Sequence, residues 1–235
     1  MTDNFGVLGG NAHLTGVERV VIAPLPTVYG DFHAVGFFDH DLGEEQVVLV
    51  HGDLDTLGEG DVLTRLHSEC LTGDSFGSQH CECGPQLTAS LQAIVAEGRG
   101  ALVYLRGHEG RGIGLLAKLK AMKLQAEGLD TVEANVALGL PVDARDYRVA
   151  AEMLHDLGVR SVRLLSNNPR KRESLLRHGI KVAEQVPLLI PPCEDNLTYL
   201  LTKRERLDHY LPHLDGEEWA KAIFAGEAKT VVTEE

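Results

Sequence analysis

The chain has 235 residues, 43% hydrophobic and 24% charged, with a formal net charge of -13. That size and balance describe a folded globular protein of one large or two small domains. The acidity argues against a non-specific nucleic-acid binder, which needs a positive field. No run of about 18 apolar residues is available for a membrane span, and Met1 to His13 lacks the basic start and apolar stretch of a secretory signal, so a cytoplasmic location is expected.

Residues 1–15 carry no periodicity and read as a loose start. Residues 17–66 read mostly as strands: Val20, Val21 and Ile22 are β-branched, Val47 to Val50 form a short apolar run, and Gly30-Asp31 and Gly58-Glu59-Gly60 supply turns. The period then changes. Leu87, Leu91, Ile94 and Val95 recur at helical spacing, and Gly98 and Gly100 mark the stop. Ala101 to Arg106 predicts a buried strand, His108 to Gly114 a glycine-rich turn. Leu115, Leu119 and Met122 predict one apolar helix face, set opposite Lys118, Lys120 and Lys123. Asp146 to Leu157 predicts a helix and Val162 to Leu165 a strand, and Pro169 suits a helix start. Leu197 to Leu211 reads as a charged helix, and 216–235 as a tail or a short amphipathic segment around Trp219, Ile223 and Phe224. Helices alternating with strands after residue 85 predict an α/β fold with a more β-rich first part. No repeat, low-complexity stretch or linker divides it.

Three of the four cysteines, Cys70, Cys81 and Cys83, fall within fourteen positions, a cluster better suited to metal than to disulfides in a cytoplasmic chain. Three protein ligands leave one coordination position for water, the catalytic arrangement of zinc. A structural site completed by His67 or His80, or three merely packed thiols, also fits the spacing. His67-Ser68-Glu69 matches the first half of the nucleobase-deaminase signature, but its P-C-x-x-C half is absent. Cys193 reads as an ordinary thiol.

Further on, Gly110, Gly112 and Gly114 between a strand and a helix allow backbone N–H groups to approach an anion, and Arg111 adds a fork for phosphate. A plain tight turn fits equally. Asp143-Ala144-Arg145-Asp146-Tyr147 reads as a helix start capped by Asp143 with a solvated ion pair. Ser166-Asn167-Asn168-Pro169-Arg170-Lys171 follows a strand end, where α/β sheets bind ligands. Basic residues at the helix start there favour an anion.

Taken together, residues 18–213 resemble GTP cyclohydrolase II. The resemblance rests on Arg65-Leu66-His67-Ser68-Glu69-Cys70-Leu71-Thr72-Gly73-Asp74, Cys81-Glu82-Cys83-Gly84, Glu109-Gly110-Arg111-Gly112-Ile113-Gly114-Leu115, Asp130-Thr131-Val132-Glu133-Ala134-Asn135 and Ser166-Asn167-Asn168-Pro169, all in one order. It implies a mixed sheet flanked by helices, with a catalytic domain over 16–213 between an N-terminal extension and a tail over 214–235. It also implies a homodimer. Its implied zinc ligands are Cys70, Cys81 and Cys83. The GTP contacts it implies are Arg65, Leu66, His67, Ser68, Glu69, Gln86, Glu109, Gly110, Arg111, Thr131, Ser166 and Lys171, with Mg²⁺ on the triphosphate. Asp143 takes the place of the proton acceptor and Arg145 that of the nucleophile toward the α-phosphate. A guanidinium resists deprotonation, so clamping the phosphate is the expected role of Arg145. The implied reaction opens the guanine imidazole ring at C8, releases pyrophosphate and then formate, and begins riboflavin synthesis.

Three features depart from the family pattern. The turn Arg106-Gly107-His108-Glu109 is one residue longer than in many relatives, and Ser166 replaces a threonine while keeping a hydroxyl. Met122 stands where the family has an active-site tyrosine, and a thioether cannot donate a proton. Two outcomes follow for the product, full deformylation or a reaction that stops at the formylated pyrimidine. The competing readings are a GTP-binding regulatory paralogue without turnover and an interaction protein built on structural zinc.

Overall fold

A computed structural model describes residues 16–215. Seven strands form one sheet: β1 (Val17–Thr27), β2 (Gly30–Asp39), β3 (Glu44–His51), β4 (Val62–Ser68), β5 (Gly100–Leu105), β6 (Ser161–Leu165) and β7 (Lys181–Val186), in the order β1-β2-β3-β5-β4-β6-β7. The first four in that order pair antiparallel, and β5, β4, β6 and β7 pair parallel. The mixed sheet and its β-rich first part are as expected.

The sheet is apolar on both faces because each is covered. On one face, α2 (Cys83–Glu97) packs Leu91 and Ile94 against Phe32, Leu63, Leu102 and Leu165. On the other, α6 (Arg148–Asp156) and α7 (Pro169–Arg177) bury Met153, Leu154 and Leu175 among Val35, Val48, Val103 and Val162. α2 stops at Gly98, which takes the left-handed conformation (φ 79°) and closes the last turn onto the Val95 carbonyl. α7 begins with Pro169 behind Asn168, whose side chain caps the Arg170 N–H.

Four single or shorter elements complete the chain before its end: the turn α1 (Leu71–Asp74), the turn α3 (Glu109–Gly112), α4 (Leu115–Ala126) and α5 (Thr131–Ala137). α8 (Leu197–Arg206) follows β7. α8 ends five residues short of the expected Leu211, and Asp208 there has a positive φ of 54° that no helix continues through. Asp143 does not cap a helix: α6 starts at Arg148, and Asp143 holds Arg145 instead. No helix among the described residues is long and apolar enough to cross a membrane. The expectations for 1–15 and for the segment around Trp219 lie outside the described residues.

The parallel strands β4, β5 and β6 all point their C-terminal ends the same way. Ser68, the turn after Leu105 and Ser166 therefore meet at one rim, the usual ligand position in an α/β sheet.

Candidate metal centre and anion cleft

Cys70 caps α1 directly after β4, and Cys83 is the first residue of α2, so two helix starts bring the thiols together. The sulfurs of Cys70, Cys81 and Cys83 lie within 4.8 Å of one another, with 3.8 Å between the first two. All are free thiols. The backbone beneath is stripped to glycine: a Cβ at Gly73 would stand 2.8 Å from Cys81 Sγ, and one at Gly84 would run into the Gly73 carbonyl. The three sulfurs could hold one metal ion, and the donor set fits zinc. Neither histidine completes it. His67 turns its Nε2 to Asp74 at 3.0 Å, and His80 is exposed and outside the cluster. Cys193 is bonded to the Gln79 carbonyl and is no ligand.

The three thiols differ: the hydrogen bond with Cys70 raises Cys81, hydrogen bonds with Cys70 and Cys81 together with burial raise Cys83 well above the usual thiol range, and only Cys70 is lowered. Hydrogen bonds from Cys81 and Cys83 hold the Cys70 thiol far below the usual thiol range, with Lys118 adding to the effect. Lys118 donates to Cys70 Sγ at 3.1 Å, to Thr72 Oγ1 at 2.8 Å and to Glu109 Oε1 at 2.6 Å. The expectation that Lys118 lies opposite Met122 on this helix is therefore corrected. Lys118 lies one helical turn before Met122, on the same face of α4, and Leu119 is the exposed residue at 44%. Glu109 is buried behind this lysine, its other oxygen accepting the Leu71 N–H at 2.7 Å.

Two joined clefts open at the rim, sharing Ser68, Cys83, Arg111, Arg145 and Tyr199. Both are open to solvent and lined mainly by polar and charged side chains. The second contains the three cysteines with Glu69, Gly110, Met122 and Thr131. The first contains Arg65, His67, Gln86, Ser166 and Lys171. Leu66 and Asp143 stand outside both: Leu66 is core and gives its carbonyl to Lys171 at 2.7 Å, and Asp143 lies behind Arg145.

The first cleft turns five cations, Arg65, Arg111, Arg145, Lys171 and Lys203, against one carboxylate, Glu82. On a chain of net charge -13 this concentration of positive side chains could receive an anion. Burial, then Arg65, Arg145 and Lys203, push the Lys171 amine well below its usual range, a penalty that an arriving anion relieves. Arg145 is clamped by Asp143 through two bonds, 2.9 Å and 2.6 Å, so its fork is fixed. Burial raises the Asp143 carboxyl, but Arg145 outweighs it and the carboxyl falls to about 2; Arg170 adds a contact at 3.3 Å. The pair is mostly shielded, its side chains 11% and 6% exposed, not solvated as the sequence suggested. Arg111 is held at φ 67°, a rare conformation for a side-chain-bearing residue, and its carbonyl accepts the Ala144 N–H at 3.0 Å. The glycine turn thereby locks onto the Asp143–Arg145 segment.

Sequence reasoning missed Lys118, Glu82 and the contribution of α8. The helical period through Met122 could have found the first. Lys203, Tyr199 and His209 carry no motif, and only the tertiary fold brings them to the cleft.

His108 supplies a pH test. Burial, then Arg145 and Lys171, lower its imidazole to about 4. The unfolded chain, with an ordinary imidazole near 6.5, binds more protons between these values, so stability is lost as pH falls from about 6.5 toward 4. The expected loss is on the order of 3 kcal/mol by pH 4. A His108→Gln variant should show a shallower fall in unfolding free energy over that window; an unchanged slope would remove His108 as the cause.

Residues 18–187 match the family profile described as GTP cyclohydrolase II. A protein named GTP cyclohydrolase-2 from Streptomyces coelicolor is 74% identical over 216 residues, 92% of this chain and 96% of that protein. The riboflavin biosynthesis protein RibBA of Mycobacterium tuberculosis is 52% identical over 205 residues, 86% of this chain, which spans only 48% of that longer protein. A solved two-domain 3,4-dihydroxy-2-butanone 4-phosphate synthase, RibBX of A. baumannii, aligns at a TM-score of 0.40 and 20% identity over 72% of this chain and 41% of its own.

Proposed function

The chain belongs to the GTP cyclohydrolase II family of hydrolases, and from that premise we propose that it opens the imidazole ring of GTP at C8, releases pyrophosphate, and delivers the formylated pyrimidine nucleotide. The observation that carries this reading is the adjacency of a three-thiol cradle and a five-cation cleft through shared Cys83, Arg111 and Arg145. Ring chemistry and triphosphate binding can then act on one molecule.

Cys70, Cys81 and Cys83 would hold zinc, which supplies the Lewis acidity that makes water nucleophilic near neutral pH. The protein does the rest. Lys118 bridges Cys70 and Glu109 and keeps the thiolate side of the cradle in place. Arg145, with Lys171 and Arg111, binds the phosphates and compensates charge as pyrophosphate leaves. Asp143 is a positioning residue: both its oxygens are engaged by Arg145, and a carboxyl near 2 is a poor proton acceptor until that clamp opens. Mg²⁺ accompanies the triphosphate. The catalytic unit is taken as 16–213, because α8, beyond the family match, lends Tyr199 and Lys203 to the cleft. A homodimer suits the exposed apolar side chains of edge strand β1, Val20, Val21 and Ile22.

The product follows from Met122. It lines the cysteine half of the cleft from α4 and brings no hydroxyl there. Tyr199 lines both halves of the cleft, but from α8, with Arg111 beside its ring and the Lys203 amine 4.5 Å from the ring centre, not from the α4 position that Met122 holds. Deformylation therefore lacks a proton donor at the position of the family's tyrosine. Met122→Tyr is expected to release formate at least about tenfold faster relative to pyrophosphate. Equal, near-stoichiometric formate from both proteins would show that Met122 does not set the product.

A further inference from the structure

Glu82 sits between two proposed zinc ligands yet points its carboxylate elsewhere. One oxygen accepts from Lys203 of α8 at 3.0 Å, and the residue is 1% exposed. Its other oxygen, Oε2, is buried and has no hydrogen-bond partner among the described residues. A buried carboxylate oxygen without a partner is costly, and proteins keep such atoms where a ligand completes them.

Two residues that line the same cleft each carry one more such buried atom, Arg65 Nε and His67 Nδ1. Their character is fixed by their neighbours. Arg65 spends its terminal nitrogens on the Leu165 carbonyl at 3.0 Å and Gln86 Oε1 at 2.7 Å, leaving Nε–H as a donor. The Asp74 carboxylate also accepts from Tyr104 and from the Cys70 N–H, so it takes the hydrogen of His67 Nε2 and leaves Nδ1 as an acceptor. The unpaired set is thus one donor and two acceptors. The Watson–Crick edge of guanine needs that set: a donor for O6, and acceptors for N1–H and the exocyclic 2-amino group. Adenine presents the reverse order, and hypoxanthine lacks the amino group.

We infer that Glu82, held by Lys203, is the residue that selects guanine, its free oxygen accepting from the 2-amino group. This rests on the proposed reading of the joined clefts as a GTP site, in which the base edge meets Arg65, His67 and Glu82 and the phosphates meet Arg111, Arg145 and Lys171. It also gives α8 a function, since Lys203 lies outside the segment that matches the family profile.

The test compares kcat/KM for GTP and ITP, which lacks the 2-amino group, in wild type, Glu82→Gln and Glu82→Asp, with zinc content measured on each. Wild type should prefer GTP by about 100-fold or more, and both variants should retain zinc while the preference falls at least about tenfold, chiefly through loss on GTP. A wild-type preference near one would overturn the inference, as would variants that lose equally on both nucleotides, which marks Glu82 as a mere anchor for α8. Should one variant fail to fold, the other and the wild-type ratio still decide. If the wild type turns over neither nucleotide, the proposed reaction fails by itself, and calorimetric affinities of wild type and Glu82→Gln for GTP and ITP then decide the role of Glu82 by the same ratio.

Discussion

Cys83→Ser is expected to abolish GTP turnover, by about 1000-fold or more, while leaving the fold in place. The two parts have separate causes. Cys83 opens α2 and gives one of three sulfurs that lie within 4.8 Å of one another, and a serine hydroxyl is a poor donor for a soft ion. Losing the Lewis acid that the thiols would hold costs several kcal/mol of transition-state stabilisation. The core lies elsewhere: Val35, Val103, Met153, Leu154 and Leu175 pack on the far face of the sheet and use no metal. Chelation of the native protein should act likewise, ending activity reversibly with little change in far-ultraviolet circular dichroism. Unfolding on chelation would instead assign the thiols to a structural site.

The second large effect is expected at Arg145. Arg145→Lys should lower kcat/KM for GTP by about 100- to 1000-fold. The guanidinium meets Asp143 with two bonds and reaches Ser68 Oγ at 3.4 Å, so three directions are fixed by one planar group. A lysine ammonium keeps the charge but not the fork. Asp143→Asn should lose much of the same activity, because it releases the fork without removing it. It should leave the acid limb of the rate profile above pH 4 unmoved, since the Asp143 carboxyl, at about 2, does not titrate there. A new limb arising in that variant, or a mild Arg145→Lys phenotype, would count against the clamp.

The sequence made the local features of this molecule readable. β-branched runs and the glycine after Val95 and Glu97 are decided within a few residues, so the strands to Ser68 and the end of α2 came out as observed. The cysteine cluster was visible because its ligands lie close in the chain. Features set by distance were not. β7 has no fully buried residue, and its polar sequence gives little apolar signal. The capping box Asp130–Glu133 that starts α5 has a readable pattern, but the helix is only seven residues long and buries little. Lys203 reaches Glu82 across 121 positions, and no periodicity anticipates that contact. Lys118 was misassigned for a different reason: on an amphipathic helix a lysine is expected in water, and here a thiolate and Glu109 replace the water.

The most direct measurement incubates the zinc-loaded protein with GTP and Mg²⁺, identifies the nucleotide product by mass, and assays pyrophosphate and formate together. Pyrophosphate matched by a ring-opened nucleotide monophosphate that still carries its formyl group, with little formate, is the expected result. Unchanged GTP, bound but never opened, would contradict the account and leave a regulatory GTP-binding paralogue in its place.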